Sequence, residues 1–98
     1  MAFDKLIHQP TRLKIMAYLA RLGTDARVEF NKLLRDLGLT EGNLSRHLAK
    51  LEEAGYLRVE KGFVGRRPRT WVGLTGKGRD AFLAHVAELK RLLEGKTP

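Results

Sequence analysis

A chain of 98 residues with 43% hydrophobic content has room for one small domain, 1–98, since domains cluster at about 100 to 150 residues, and none for an enzyme with separate substrate and cofactor domains. The absence of Cys excludes disulfides, thiolate zinc sites and iron–sulfur clusters, and no apolar run approaches the roughly 20 residues that span a bilayer. The formal charge of +8 is uneven: 58–79 supplies +6 of it through Arg58, Lys61, Arg66, Arg67, Arg69, Lys77 and Arg79 against Glu60, while 27–57 and 80–98 are neutral.

In chain order, Met1 to Pro10 carries Asp4 and Lys5 and lacks a signal-peptide core, so a soluble cytoplasmic protein is expected. Pro10 and Gly23 bracket a helix over 10–23, with a proline-tolerant first turn and a glycine stop. Its stripes, Leu13, Met16, Ala17, Ala20 and Ile15, Leu19, Leu22, suggest packing on two sides. Arg27 to Phe30 alternates and reads as an extended piece or a small strand. Asn31 is a candidate cap for a short helix over 31–37, with Leu33, Leu34 and Leu37 inward and Gly38 ending it.

Thr40 then caps a helix over 40–55, whose Leu44, Leu48 and Leu51 define a buried face. Two helices joined by a tight turn at Gly38 make a helix-turn-helix candidate. After Gly55 the period drops from about 3.6 to 2. The stretch 56–74 reads as a hairpin whose connection is punctuated by Gly65 and Pro68. Thr75 caps a final helix over 75–94, in which Phe82, Val86, Leu89 and Leu93 recur at helical spacing.

With Leu44, Leu48 and Leu51 inward, about 100° per residue turns Arg46 away from the core, with Gly42, Asn43, Ala49, Lys50 and Glu53 around it. Arg46, Asn43 and Lys50 are free to enter a major groove, where Arg reads guanine and Asn reads adenine. Ser45 and His47 fall on the flanks, suited to phosphate contacts, and Thr40 at the helix N-terminus also favours a phosphate. Gly42 allows close backbone approach. Taken alone, such a helix is better read as a solubilised face. The adjoining turn and basic hairpin shift the balance to double-stranded DNA. Arg66, Arg67 and Arg69 at the hairpin tip suit phosphates or a narrow minor groove, and Pro68 stiffens the loop. Trp71 reads as a packing residue of the hairpin rather than a stacking platform.

The order helix, short extended piece, helix-turn-helix, basic hairpin and terminal helix resembles the winged helix-turn-helix domain of MarR/ArsR-like transcription regulators. Leu39 to Leu57 is similar to the family's recognition helix and the start of its wing, and Gly65 to Thr70 with Leu74 to Gly78 to its wing tip and exit. The resemblance implies a mainly α fold with a small β-hairpin wing (α+β) and a C-terminal dimerisation helix. Two departures concern sensing. There is no Cys for thiol-based metal sensing, and the chain is shorter than a typical MarR protein, leaving little helix for a drug-sized effector pocket. No effector is named by these residues.

The apolar residues Phe3, Leu6, Ile7, Phe82, Val86, Leu89 and Leu93 either seal the monomer's own core or pair with a second chain. The long terminal helix favours a homodimer. His8 and His85 read as interface or surface residues, and no metal site is expected. Gly76 to Ala81 fits G-x-G-x-x-A, but no second strand with an acid follows, so no cofactor is expected. No H-E-x-x-H, G-x-S-x-G or Walker pattern occurs, Ser45 and His47 lack an orienting acid, and no catalytic residue is assigned. The reading is a sequence-specific regulator acting on a pseudo-palindromic operator. The competing class is a nucleoid- or RNA-associated winged helix held by phosphate attraction alone.

Overall fold

The computed structural model describes residues 4–95, in the order α1 (Lys5–His8), α2 (Pro10–Leu22), β1 (Val28–Glu29), α3 (Phe30–Leu37), α4 (Glu41–Glu53), β2 (Leu57–Val64), β3 (Arg67–Leu74) and α5 (Gly76–Leu93). The fold is mainly helical with a small antiparallel sheet, a winged helix whose last element is a long helix. Three strands lie in the order β1-β3-β2. Val28 faces Val72 across one pairing, and the β2–β3 ladder runs from Leu57 opposite Leu74 out to Val64 opposite Arg67.

The single turn α1 has no counterpart in the periodicity of the sequence, being too short to show one. Asp4 makes it: one carboxylate oxygen accepts from the Leu6 and Ile7 amides, and the other from the Tyr56 hydroxyl at 2.6 Å. Ile7 is thereby set fully into the core. In α2, Ile15, Met16 and Leu19 are buried, while Leu13, Ala17 and Ala20 are half-buried and Leu22 is exposed. Gly23, at φ 91°, ends this helix with its N–H on the Leu19 carbonyl.

The short alternation before α3 is a strand, and it changes how α3 begins. Phe30, not Asn31, is the first helical residue, and Glu29 occupies the cap position with no side-chain bond. Pairing of β1 with β3 delivers the backbone straight into the helix, so no capping side chain is required, and Asn31 is exposed. Tyr18 of α2 donates to Asp36 of α3 at 2.5 Å, and Lys32 donates to the same oxygen at 3.0 Å. These bonds hold the Asp36 carboxyl below its usual range and tie α3 to α2.

One core, built from Ile7, Met16, Leu33, Leu44, Leu51, Val72 and their neighbours, joins all the helices to the sheet. α4 and α5 are fastened at their facing ends. Thr75 caps α5 by accepting from the Gly78 amide at 3.0 Å, while its hydroxyl donates to the Gly55 carbonyl at 2.7 Å and its own amide to the Tyr56 carbonyl at 3.1 Å. Gly78 is fully packed here, because a Cβ would lie 2.1 Å from the Tyr56 carbonyl oxygen. Gly78 of the G-x-G-x-x-A pattern thus serves the close packing of α5 on the chain that follows α4, whereas a Cβ at Gly76 would meet nothing.

Candidate DNA interface

The turn between α3 and α4 follows from one left-handed residue. Gly38, at φ 63° and ψ 36°, lets its own N–H reach the Arg35 carbonyl and the Leu39 N–H reach the Leu34 carbonyl, the paired bonds of a Schellman motif. Leu39 and Thr40 then start α4, where the Thr40 hydroxyl oxygen accepts from the Asn43 amide at 3.2 Å. The far end of α4 closes in the same way at Gly55, whose φ is 82°. A helix pinned at both ends keeps a defined rotation about its axis. Leu44, His47, Leu48 and Leu51 face inward, and Gly42, Asn43, Ser45, Arg46, Ala49 and Lys50 are exposed.

On the exposed face, Arg46 donates from Nη2 to Oδ1 of Asn43 at 2.9 Å. The two residues expected to read bases are therefore joined one turn apart, with Lys50 one further turn along the same stripe. Thr40 and Ser45 are also exposed, at the start and on the flank of the helix.

His47 departs from the expectation of an exposed flank. It is only 6% exposed and lies 3.1 Å from Arg12, whose guanidinium donates to Nδ1. The three-leucine face is wider than the leucines alone suggested, because α2 packs beside it and brings Arg12 over the imidazole. Burial, with the Arg12 charge next, holds the His47 pKa below its ordinary value, so the ring is a neutral acceptor. Arg12 also donates through Nε to the Leu6 carbonyl, linking α1, α2 and α4. No pattern on α4 itself could have shown this, since the partner is 35 residues away.

The hairpin redistributes the basic segment. Arg58 is structural: it donates to the carbonyls of Leu74, Thr24 and Ala26 at 2.7 to 3.1 Å. Gly73, directly opposite in register, leaves room for it, since a Cβ there would meet the guanidinium at 2.7 Å. Arg69 is half-buried and pairs with Glu29 at 3.5 Å, Arg79 pairs with Asp80 at 3.1 Å, and Lys77 sits over the Tyr56 ring. Trp71 packs on the hairpin, with Arg27 stacked 4.4 Å from its ring centre. Among the described residues, Lys61, Arg66 and Arg67 are exposed and form no ion pair. The Gly65–Arg66 turn, with Gly65 at φ 63° and Arg66 at negative φ, sets two of these at the tip. Between α4 and the sheet lies a cleft of about 340 Å³, lined by Ser45, Ala49, Glu52, Val59, Lys61 and Thr70 among others.

The apolar residues read from the sequence as a dimer seam divide. Ile7 is consumed by the monomer's core, and Leu6 and Phe82 pack against it. Val86 and Leu89 are half-buried, whereas Leu93 is 86% exposed with Leu92 exposed beside it, and Leu83 is exposed earlier in the helix. Phe3 lies outside the described residues. His85 is buried rather than at the surface, in edge contact with His8, ring nitrogens 3.3 Å apart. Among the described residues no group of three or more His, Asp or Glu is placed to hold a metal ion, and no helix is long and apolar enough to cross a membrane.

Comparison with known proteins agrees with this arrangement. The family model of the winged helix DNA-binding domain matches residues 11–93. An uncharacterized protein of Methanocaldococcus jannaschii is 40% identical over 88 residues, covering 90% of this chain and 92% of that protein. A transcriptional regulator homologue from Pyrococcus horikoshii superposes with a TM-score of 0.85 at 30% identity, covering 94% of this chain and 88% of that one. A transcriptional regulator of the MarR family from Enterococcus faecalis follows at a TM-score of 0.73 and 25% identity, over 97% of this chain and 90% of that one. With a helix-turn-helix pinned by Gly38 and Thr40 and a basic hairpin beside it, the chain belongs to the winged helix DNA-binding domain family and has the fold of transcription regulators of the MarR type.

Proposed function

We propose that the protein is a sequence-specific regulator of transcription that binds double-stranded DNA as a homodimer. Arg46, Asn43 and Lys50 read base edges in the major groove. Thr40, Gly42 and Ser45 approach the phosphates that bound it, and Arg66 and Arg67 grip the flanking backbone or minor groove, with Arg69 held behind them by Glu29. His47 acts beneath this surface, as the residue through which Arg12 steadies α4. The observation that carries the reading is the Arg46–Asn43 bond on the solvent side of a helix whose other side is buried. Two polar side chains held in one geometry lose less freedom on meeting a base pair than two independent ones.

The exposed Leu92 and Leu93 on α5 support pairing with a second copy, because they continue the helix beyond the part its own core covers. A two-fold dimer calls for a pseudo-palindromic operator with half-sites about one helical turn apart, roughly 34–36 Å. A regulator of this kind works in the cytoplasm and needs no cofactor.

The test is selection from a random duplex pool at near-physiological salt, with sequencing of the retained DNA. An enriched palindrome is the expected result. Retention without enrichment would replace this reading with phosphate-driven binding by a nucleoid- or RNA-associated protein.

A further inference from the structure

The outer end of the wing carries apolar surface that attraction to phosphates does not explain. Phe63 is 73% exposed and Val64 55% exposed, the last two residues of β2 before the turn. Register sets Phe63 opposite Pro68 and Val64 opposite Arg67. Directly opposed residues of an antiparallel pair share a face, so the Phe63 ring and the Pro68 ring form one apolar end on one side of the hairpin. Alternation identifies that side. Val59, Lys61 and Thr70 lie on it and line the cleft against Ser45, Ala49 and Glu52 of α4. Phe63 thus extends the sheet face that looks toward the recognition helix, past the last residue the helix covers.

Phe63 has no part in the hydrophobic core, and the Gly65 turn closes the hairpin without it. Exposed cations without an ion pair among the described residues surround it: Lys61 lies two residues before it on the same face, Arg66 sits in the turn, and Arg67, opposite Val64, projects from the other face of the tip. A second copy of this chain docked tip to tip would bring like charges together. A duplex brings phosphates on both sides of a narrow groove, with stacked bases at its floor. Charge complementarity therefore selects the duplex as the occupant. An apolar side chain with Lys61 before it and Arg66 beyond it matches the chemistry of a minor-groove wedge: the cations hold the backbones while the ring enters between base steps and unstacks them.

We infer that Phe63, backed by Pro68, is an apolar wedge that the wing inserts into the minor groove, kinking the duplex next to each half-site. This rests on the DNA-binding reading above and adds a second source of specificity. Flexible pyrimidine–purine steps (TA, CA/TG) at the wedge are favoured although no side chain reads their base edges.

The experiment uses the whole chain and a 30-base-pair A·T-rich duplex with a TA step and dyes at both ends, read by energy transfer. Wild type is expected to shorten the end-to-end distance. Phe63→Leu, which keeps an apolar wedge, retains the bend, and Phe63→Ala leaves the duplex straight while binding on the order of 10-fold more weakly. Unchanged thermal unfolding of Phe63→Ala shows that the fold is intact. Bending by Phe63→Ala equal to wild type overturns the wedge and leaves DNA binding standing, as does wild-type binding to a duplex that stays straight. Wild type binding no duplex at all removes the wedge together with the reading on which it rests.

Discussion

α4 and the wing tip both present cationic side chains to solvent, on opposite kinds of support. Beneath Asn43 and Arg46 lie Leu44, His47, Leu48 and Leu51, all buried, and the helix is capped by Thr40 at one end and closed by the Gly55 turn at the other. From Phe63 to Pro68 every residue of the hairpin is exposed, and the strands are held there by their own ladder alone. A stiff support fixes donors to within the tolerance a base edge demands, whereas a projecting hairpin suits contacts that need reach and charge. The difference supports the proposal that base edges are read chiefly by the helix and that the wing follows and grips the groove.

The largest test of that contrast is stability. Leu44→Ala should cost about 2–5 kcal/mol by opening a cavity under α4, and alanine at exposed Arg66 less than about 0.5 kcal/mol. Urea melts of the two variants check this, and equal losses would mean that the wing is as much a part of the core as the helix. Next comes discrimination: Arg46→Ala should lose about 1–3 kcal/mol on a selected operator while keeping wild-type affinity for unrelated duplex. Competition titrations on the two DNAs separate these terms, and uniform weakening would take base readout away from Arg46. Arg66→Ala combined with Arg67→Ala should weaken all duplexes alike and reduce the salt slope of binding by about 2.

The smallest effect is a pH dependence that belongs to the helix side alone. Burial holds His47 and His85 below their ordinary pKa, with Arg12 adding to the effect at His47 and His8 at His85. In the unfolded chain both titrate near 6.5, so the unfolded state takes up protons first as pH falls. Stability from these groups is complete above that pH and declines as pH drops from it toward the folded values, then levels off. Thermal melts between about pH 7.5 and 5 should show the decline, and His47→Gln should flatten part of it. Tyr56 acts at the other extreme. Its bond to Asp4, aided by burial, raises its pKa to about 12 from 10, so that contribution is lost as pH rises through this interval.

Much of the fold was legible along the chain because the signals are local. Thr40 and Thr75 are capping residues by chemistry, Gly38 and Gly55 supply the left-handed positions, and the change of period after Gly55 marks the hairpin whatever packs on it. The same locality located the exposed stripe of Asn43, Arg46 and Lys50. Where an element depended on a distant partner, the sequence misled. Asn31 has the right chemistry for a cap, yet the strand pairing of Val28 and Glu29 with β3 starts the helix one residue earlier.

The terminal helix divides along the same line. Spacing alone marks Phe82, Val86, Leu89 and Leu93 as one stripe, but the fold uses its beginning for the core and leaves its end exposed.

By itself, then, the sequence determined the order of the longer elements from α2 onward, the caps at Thr40 and Thr75, the turns at Gly38 and Gly55, the basic hairpin and the solvent face of α4, all of which follow from residues within about a helical turn or a strand of one another. Only the tertiary structure decided which cations remain unpaired. Arg58 is spent on three carbonyls, Arg69 on Glu29 and Arg12 on His47, while Arg66 and Arg67 stay exposed. It also decided that His47 turns inward and that Phe63 stands in solvent. A side chain's charge is a property of its residue type, but its burial and its partner depend on what the rest of the chain brings beside it.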